Sequence, residues 1–215
     1  MQEFVVVTGM ILKTEPVGEY DRRVVILTDQ RGKISAFAKG ARRQTSRLMA
    51  ATNPFSFGKF KLYEGRSSYN IMEANIQNYF EKLREDYVGA YYGMYFLEVA
   101  DYYTRENNDE LMMLKLLYQS LRALIHEKIP DPLVRCIFEL KAIVINGEYP
   151  GTPEQGILES TRFTLDYIRN AAIEKLYTFV VTPEVLKELQ EIAARFCHRI
   201  LERKFKSLEI LETLC

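Results

Sequence analysis

Residues 39–47, Lys39-Gly40-Ala41-Arg42-Arg43-Gln44-Thr45-Ser46-Arg47, carry four cations and no acid. The chemistry open to such a stretch is the holding of a polyanion, because ammonium and guanidinium groups neutralise phosphates without any base or nucleophile. Arg31, Lys33, Lys59 and Lys61 lie on flanking segments and are expected to face the same way, so that charge accumulates on one surface. Gly40 and Ala41 are small enough to let the backbone approach a phosphate closely. Groups for catalysis are scarcer. His126 ends an amphipathic stretch, where a cation at a helix C-terminus is ordinary, and His198 sits among arginines. Cys136, Cys197 and Cys215 are far apart, and the first two fall beside apolar residues as core thiols would. No phosphate-cradling glycine loop, nucleophile elbow, zinc-protease helix or four-ligand Cys/His set is present. A nuclease would need clustered carboxylates in the basic block, and between residues 22 and 66 only Asp29 and Glu64 stand against 11 basic residues. These observations point away from an enzyme and call for no metal, cofactor or small-molecule substrate.

The charge distribution agrees. The 215 residues have a formal net charge of zero, yet residues 1–80 hold 12 Lys/Arg against 7 Asp/Glu, which leaves 17 against 22 for the rest. A cationic module joined to an acidic one suggests a polyanionic partner for the first. Unpaired cysteine spacing fits a reducing compartment. The N-terminal MQEFVVVTGMILKTEP has neither a basic n-region nor a cleavage site, and no apolar run is long enough to span a bilayer. The expected location is the cytoplasm.

The elements that must position these cations are strands. Segments 4–12, 23–28, 33–39, 57–63 and 69–76 are β-branched or alternate in polarity, with turns at 29–32 and 64–67 and a long connection over 40–53. Five short strands with the long connection after the third predict a partly open oligonucleotide-binding barrel. From Tyr79 the period changes from 2 to 3.6. One stripe runs through Tyr87, Tyr91, Tyr95, Val99 and Tyr102, another through Leu111, Leu114, Leu117 and Leu124. The six tyrosines between 87 and 103 are expected to pack between helices. Asn108 or Asp109 can cap the second helix, and Asp131-Pro132 is expected to cap and open a helix ending before Asn146-Gly147. Residues 148–160 form a loop, and Thr182-Pro183 opens the last long helix, with Val185, Leu189, Ile192, Phe196 and Ile200 on its apolar stripe. The fold class is thus α+β: a five-stranded OB-type barrel over 1–80, then an all-α domain over 81–215.

Several of these residues also carry a resemblance. Leu27-Thr28, Gly32-Lys33, Lys39-Gly40-Ala41-Arg42, Ser46 and Pro54-Phe55 stand in the order and spacing of the bacterial recombination mediator family RecO. Phe138-Glu139-Leu140 followed by Asn146-Gly147-Glu148-Tyr149-Pro150 is similar to that family's central helix and its Gly-Tyr-x-Pro turn. Lys206-Ser207 with Leu208 and Leu211 resembles its C-terminal ending. The resemblance implies a protein of DNA repair that binds single- and double-stranded DNA through the barrel and anneals complementary strands. It further implies that, with RecR, the protein helps RecA replace single-stranded-DNA-binding protein, whose acidic C-terminal tail docks on the helical domain. Lys39 and Arg42 match the family motif; Arg43 and Arg47 are inferred from position and charge. Arg195, Arg199, Arg203 and Lys206 follow at helical spacing beside Ile200 and Phe205, which makes Arg199, Arg203 and Lys206 candidates for the tail site. A cation-rich helix C-terminus would explain them equally.

In one respect the chain departs from the family pattern. Many relatives carry two Cys-x-x-Cys pairs for zinc after the Gly-Tyr-x-Pro turn, and here residues 148–182 contain no cysteine. This degenerate zinc-ribbon-like region is expected to fold without metal, held by Ile157, Leu158, Phe163 and Leu165. The alternative to a DNA mediator is an OB-fold RNA-binding or ribosome-associated protein with a helical docking domain.

Overall fold

The computed structural model describes residues 4–65, 68–126, 128–153 and 155–214. Arg66 and Ser67 of the expected turn, Glu154 of the expected loop and Cys215 lie outside the described residues. The chain divides into two compact units, Met1–Glu81 with Leu97–Leu114, and Lys82–Phe96 with Lys115–Cys215.

In the first unit, β1 (Phe4–Val17), β2 (Asp21–Thr28), β3 (Gly32–Ala38), β4 (Phe57–Glu64) and β5 (Tyr69–Asn78) close a barrel in the order β1-β2-β3-β5-β4. All neighbours are antiparallel except β3 and β5, which close the barrel through only two parallel pairs, Ala36 with Tyr69 and Phe37 with Asn70. β3 follows the expected alternation: Gly32, Ile34, Ala36 and Ala38 point inward, while Lys33, Ser35 and Phe37 point outward. The inward set joins Val7, Ile11, Val24, Ile26, Phe60, Leu62 and Ile71 in one core.

β1 breaks the alternation. Met10, Ile11 and Leu12 are all buried, and a bulge falls between Ile11 and Lys13. The extra residue turns the strand so that Ile11 bonds the loop before β4, donating to the Ser56 carbonyl at 3.0 Å and accepting from the Phe55 amide at 3.1 Å. Phe55 is buried with φ of 72°, a conformation that this double anchor holds in place. β1 therefore runs on to Val17, beyond the expected end at residue 12, and carries the β1–β2 hairpin away from its pairing with β4. The long connection contains one short helix, α1 (Leu48–Ala51).

The helical region comprises α2 (Glu81–Glu85), α3 (Tyr87–Tyr103), α4 (Leu111–Leu124), α5 (Asp131–Ile145), α6 (Glu159–Asn170), α7 (Pro183–Ile200) and α8 (Lys206–Leu214). A closed barrel followed by helices is the expected α+β class. In the second unit α5 packs on α6 and α7. Phe138 stacks on Phe96 at 4.2 Å, and Tyr95 meets Phe205 edge-on at 5.6 Å. Beneath them the buried Glu139 accepts from the Tyr95 hydroxyl and from Arg135 Nε, both at 2.8 Å. Lys141 Nζ donates to the carbonyls of Ile168, Arg169 and Ala171, capping the end of α6. Each buried charge thus has a partner, as burial requires. Among the described residues no helix is long and apolar enough to cross a membrane.

Four local expectations change. Asp131 does not cap α5; the cap position falls on Pro130, and Asp131 lies in the first turn with Pro132. Of the tyrosine stripe, Tyr95 is buried but Tyr87 is 62% exposed, its ring edge-on to Tyr91 at 5.1 Å. In the cysteine-free region, Leu165 is buried with Ile168 and Ile173, whereas Leu158 and Phe163 are exposed on the outer side of α6. Lastly, α7 stops at Ile200, where Leu201 turns extended. The break lets the chain bury Phe205, Ser207 and Leu211, and burying an aromatic ring is worth about 2 kcal/mol, more than one further helical turn would give. Arg203 and Lys206 therefore do not continue the α7 face that bears Arg195 and Arg199.

Candidate nucleic-acid interface

The basic loop leaves β3 beside the β1–β2 hairpin, and a set of local bonds fixes it there. The Gly40 amide donates to Asp21 Oδ1 at 2.7 Å, the Arg42 amide to the Tyr20 carbonyl at 2.9 Å, and the Arg43 amide to the Gly40 carbonyl at 3.0 Å. Gly40 has φ of 65°, and an added Cβ there would meet nothing closer than 3.7 Å. Ala41 is buried in the barrel core. Backbone approach to a phosphate at Gly40-Ala41 is thus excluded: the amides are already bonded and Ala41 faces inward. What the loop offers is side chains. Lys39, Arg42, Arg43 and Arg47 are all exposed, and none forms an ion pair among the described residues. Arg42 Nη1 donates to the Gly18 carbonyl at 2.9 Å, and the Arg43 guanidinium lies 4.9 Å above the Tyr20 ring.

Arg22 sits behind this group with a different task. Its Nη1 donates to the Met49 carbonyl, Thr52 Oγ1 and Asn53 Oδ1 at 2.7–3.0 Å, tying α1 to β2. Partial burial, then repulsion from Arg42, lowers its pKa.

The other cations divide. Lys33 lies six residues before Lys39 on β3, about 20 Å along the strand. It pairs with Asp101 at 2.9 Å, and its amide bonds the Arg105 carbonyl. Arg31 bonds Glu64 at 3.3 Å and the Tyr69 hydroxyl at 3.0 Å. These two therefore stand apart from the loop: Lys33 is paired with Asp101 of α3, and Arg31 with Glu64 of β4 and Tyr69 of β5. Lys59 and Lys61 stand on a third part of the barrel, the outer face of β4, where Lys61 pairs loosely with Glu73 at 3.6 Å.

Sequence reading missed the residues that complete the loop surface. Arg23 on β2 lies opposite Phe37 on β3, both outward, and Tyr20 is 44% exposed in the hairpin turn. The run Tyr20-Asp21-Arg22-Arg23 was the available signal, an aromatic beside cations before a strand. In the second unit, a groove of about 570 Å³ is lined by Arg135, His198, Leu201, Arg203, Phe205 and Leu208 among others. Arg203 lies 6.0 Å from the Phe205 ring. Glu202, Glu209 and Glu212 share this lining, so the groove is mixed in charge.

With this geometry in view, two family models match the chain: "Recombination protein O N terminal" over residues 1–80 and "Recombination protein O C terminal" over residues 84–155. The chain belongs to the RecO family. Similar proteins agree. It is 37% identical over 142 residues to a DNA repair protein RecO of Alkaliphilus metalliredigens, covering 66% of this chain and 58% of that one. It is 26% identical to those of Acetivibrio thermocellus and Clostridium perfringens, covering 96% and 95% of this chain and 96% of each relative. Membership places the protein in DNA repair and recombination. The motif residues divide into two kinds. Lys39 and Arg42 are exposed and form no ion pair among the described residues, whereas Pro54-Phe55, Glu139 and Tyr149 are structural. Tyr149, for example, packs edge-on against Phe196 at 5.7 Å and closes the turn after α5.

Proposed function

We propose that the protein is a non-enzymatic recombination mediator that holds DNA through Lys39, Arg42, Arg43 and Arg47 and anneals complementary strands. The observation that supports this most is the set of four exposed loop cations without carboxylate partners, in a chain of a DNA repair family. Such a surface neutralises phosphates of single or double strands and carries no base-reading geometry. Annealing then needs no bond chemistry, only the removal of repulsion between two backbones. Together with RecR, the protein assists RecA onto strands coated by single-stranded-DNA-binding protein. The acidic tail of that protein docks at the helical groove, where Arg203 borders Leu201 and Phe205; Arg199 and Lys206 are not among the residues that line it. The working division is a DNA-binding domain over 1–80 and a docking domain over 81–215, acting in the cytoplasm at the nucleoid. The cysteine-free region over 148–182 holds no zinc.

The test is the annealing of complementary oligonucleotides, naked and coated with single-stranded-DNA-binding protein. Acceleration in both cases is expected. Absence of annealing, with equal affinity for structured RNA, would instead favour an RNA-binding barrel. Arg203→Glu with Lys206→Glu should weaken binding of the tail peptide more than twofold; a smaller change would move the tail site elsewhere.

A further inference from the structure

Lys59 and Lys61 belong to a face of their own. Register sets three rows across β4: Tyr63 opposite Phe4 and Asn70, Lys61 opposite Val6 and Glu73, and Lys59 opposite Thr8 and Asn75. Phe4 is 47% exposed and Val6 55%, and the bulge residue Met72 is 52% exposed beside them. The Phe4 ring leans on Tyr63 at 6.2 Å, and Lys61 Nζ lies 5.3 Å from its centroid. An outward β-face ordinarily carries polar side chains; this one leaves an aromatic, a valine and a methionine in water around two lysines. The acid Glu73 is a weak counterweight, 3.6 Å from Lys61 and three-quarters exposed. The face does not extend the basic loop. Along β1, Val6 is eleven residues from Val17 at the hairpin, about 35 Å of strand.

We propose that this β1–β4 face is a second nucleic-acid subsite, selective for unpaired strands, in which a base stacks on Phe4 while Lys59 and Lys61 neutralise its phosphates. An exposed aromatic flanked by cations is the arrangement that binds single strands without reading sequence, since every unpaired base has a π-face and a duplex offers none along its length. A protein partner fits less well, because lysines are depleted from the centres of protein interfaces and two stand in the middle of this face. The proposal rests on the reading of the basic loop as a DNA site and adds a place for a second strand. One barrel would then carry two strands at once, which is what annealing requires.

The chain has no tryptophan, so Phe4→Trp installs a single indole at the proposed stacking position. Its emission should be quenched by oligothymidylate and much less by a duplex of equal length. Phe4→Ala and Phe4→Leu, the latter keeping bulk without a ring, should both lower the ratio of single-strand to duplex affinity about tenfold and slow annealing. Lys59→Ala with Lys61→Ala should flatten the salt dependence of single-strand binding by about 1.4 in log–log slope. An indole unmoved by saturating oligothymidylate, with an unchanged affinity ratio in both Phe4 variants, overturns the proposal. If the loop variants still lose affinity in that case, the reading of the basic loop survives it. If the wild-type protein binds no DNA at all, both fall together.

Discussion

At the start of β3, Lys33 is neutralised by Asp101 and Arg31 is held by Glu64 and Tyr69; just past its end, Lys39, Arg42, Arg43 and Arg47 form no ion pair among the described residues. Both sets counted equally in the +9 balance of residues 22–66. The difference lies in what each end is built against. At the first, a segment following α3 lies close enough for Gly32 to bridge to Glu106 and for the Lys33 amide to bond Arg105. At the second, the neighbours are a hairpin turn and the short α1, and these use backbone carbonyls, Asp21 and Arg22 to hold the loop while leaving its charges in water. A lysine paired with a half-buried carboxylate is part of the fold. An exposed cation free of such a carboxylate is the better placed to release counterions from a phosphate backbone.

The glycines at the two ends should break most sharply. Gly32 has φ of 63°, and an added Cβ would lie 2.2 Å from the Arg105 carbonyl oxygen; Gly40 has nearly the same φ with open space around it. Gly32→Ala should cost about 3 kcal/mol or more in urea unfolding, and Gly40→Ala about 1 kcal/mol. Equal losses would mean that the covered end is not a packed contact.

The Lys33–Asp101 pair sharpens the same contrast at a smaller scale. A double-mutant cycle with alanine at both positions should give a coupling of about 1 kcal/mol, whereas a Lys39 to Asp21 cycle should give none. The helical unit supplies an anionic counterpart, because Asp131 is held near Asp86. Burial, and secondarily the charge of Asp86, raises the Asp131 carboxyl to about 6. Its unfolded value is about 3.9, so between pH 4 and 6 the folded state binds more protons, and stability falls as pH rises through that window. Asp131→Asn should remove that slope and add about 1 kcal/mol above pH 6, a gain kept small because the carboxyl is half in water. Chelator should produce the smallest effect: a melting temperature unchanged by EDTA, since residues 148–182 offer no thiol. A stoichiometric zinc ion in purified protein would contradict this.

The architecture was legible because its signals are local. Alternation in 33–39 and 57–63, the period change after Tyr79 and the Thr182-Pro183 start each write one element into adjacent residues. The loop cations were legible for the same reason, being consecutive. What could not be read was pairing at a distance. Nothing in the spacing of Lys33 and Asp101, 68 residues apart, announces that they meet. The Ile11 bulge that carries β1 past its expected end depends on a contact with Ser56 and Phe55 that alternation cannot encode. The end of α7 depends likewise on Phe205 finding Tyr95, which outweighs a continuing run of helix formers.

The central claim is that, of the two ends of β3, the one with unpaired cations holds DNA. The most direct measurement is the slope of log K against log salt for single-stranded DNA, in the wild type, in the Lys39→Ala/Arg42→Ala/Arg43→Ala variant and in Lys33→Ala. Each lost phosphate contact removes about 0.7 from the slope, so the triple variant should flatten it by about 2 and Lys33→Ala should leave it in place. A triple variant that folds and keeps the wild-type slope, or a Lys33→Ala variant that loses as much per charge as the loop does, would contradict the account.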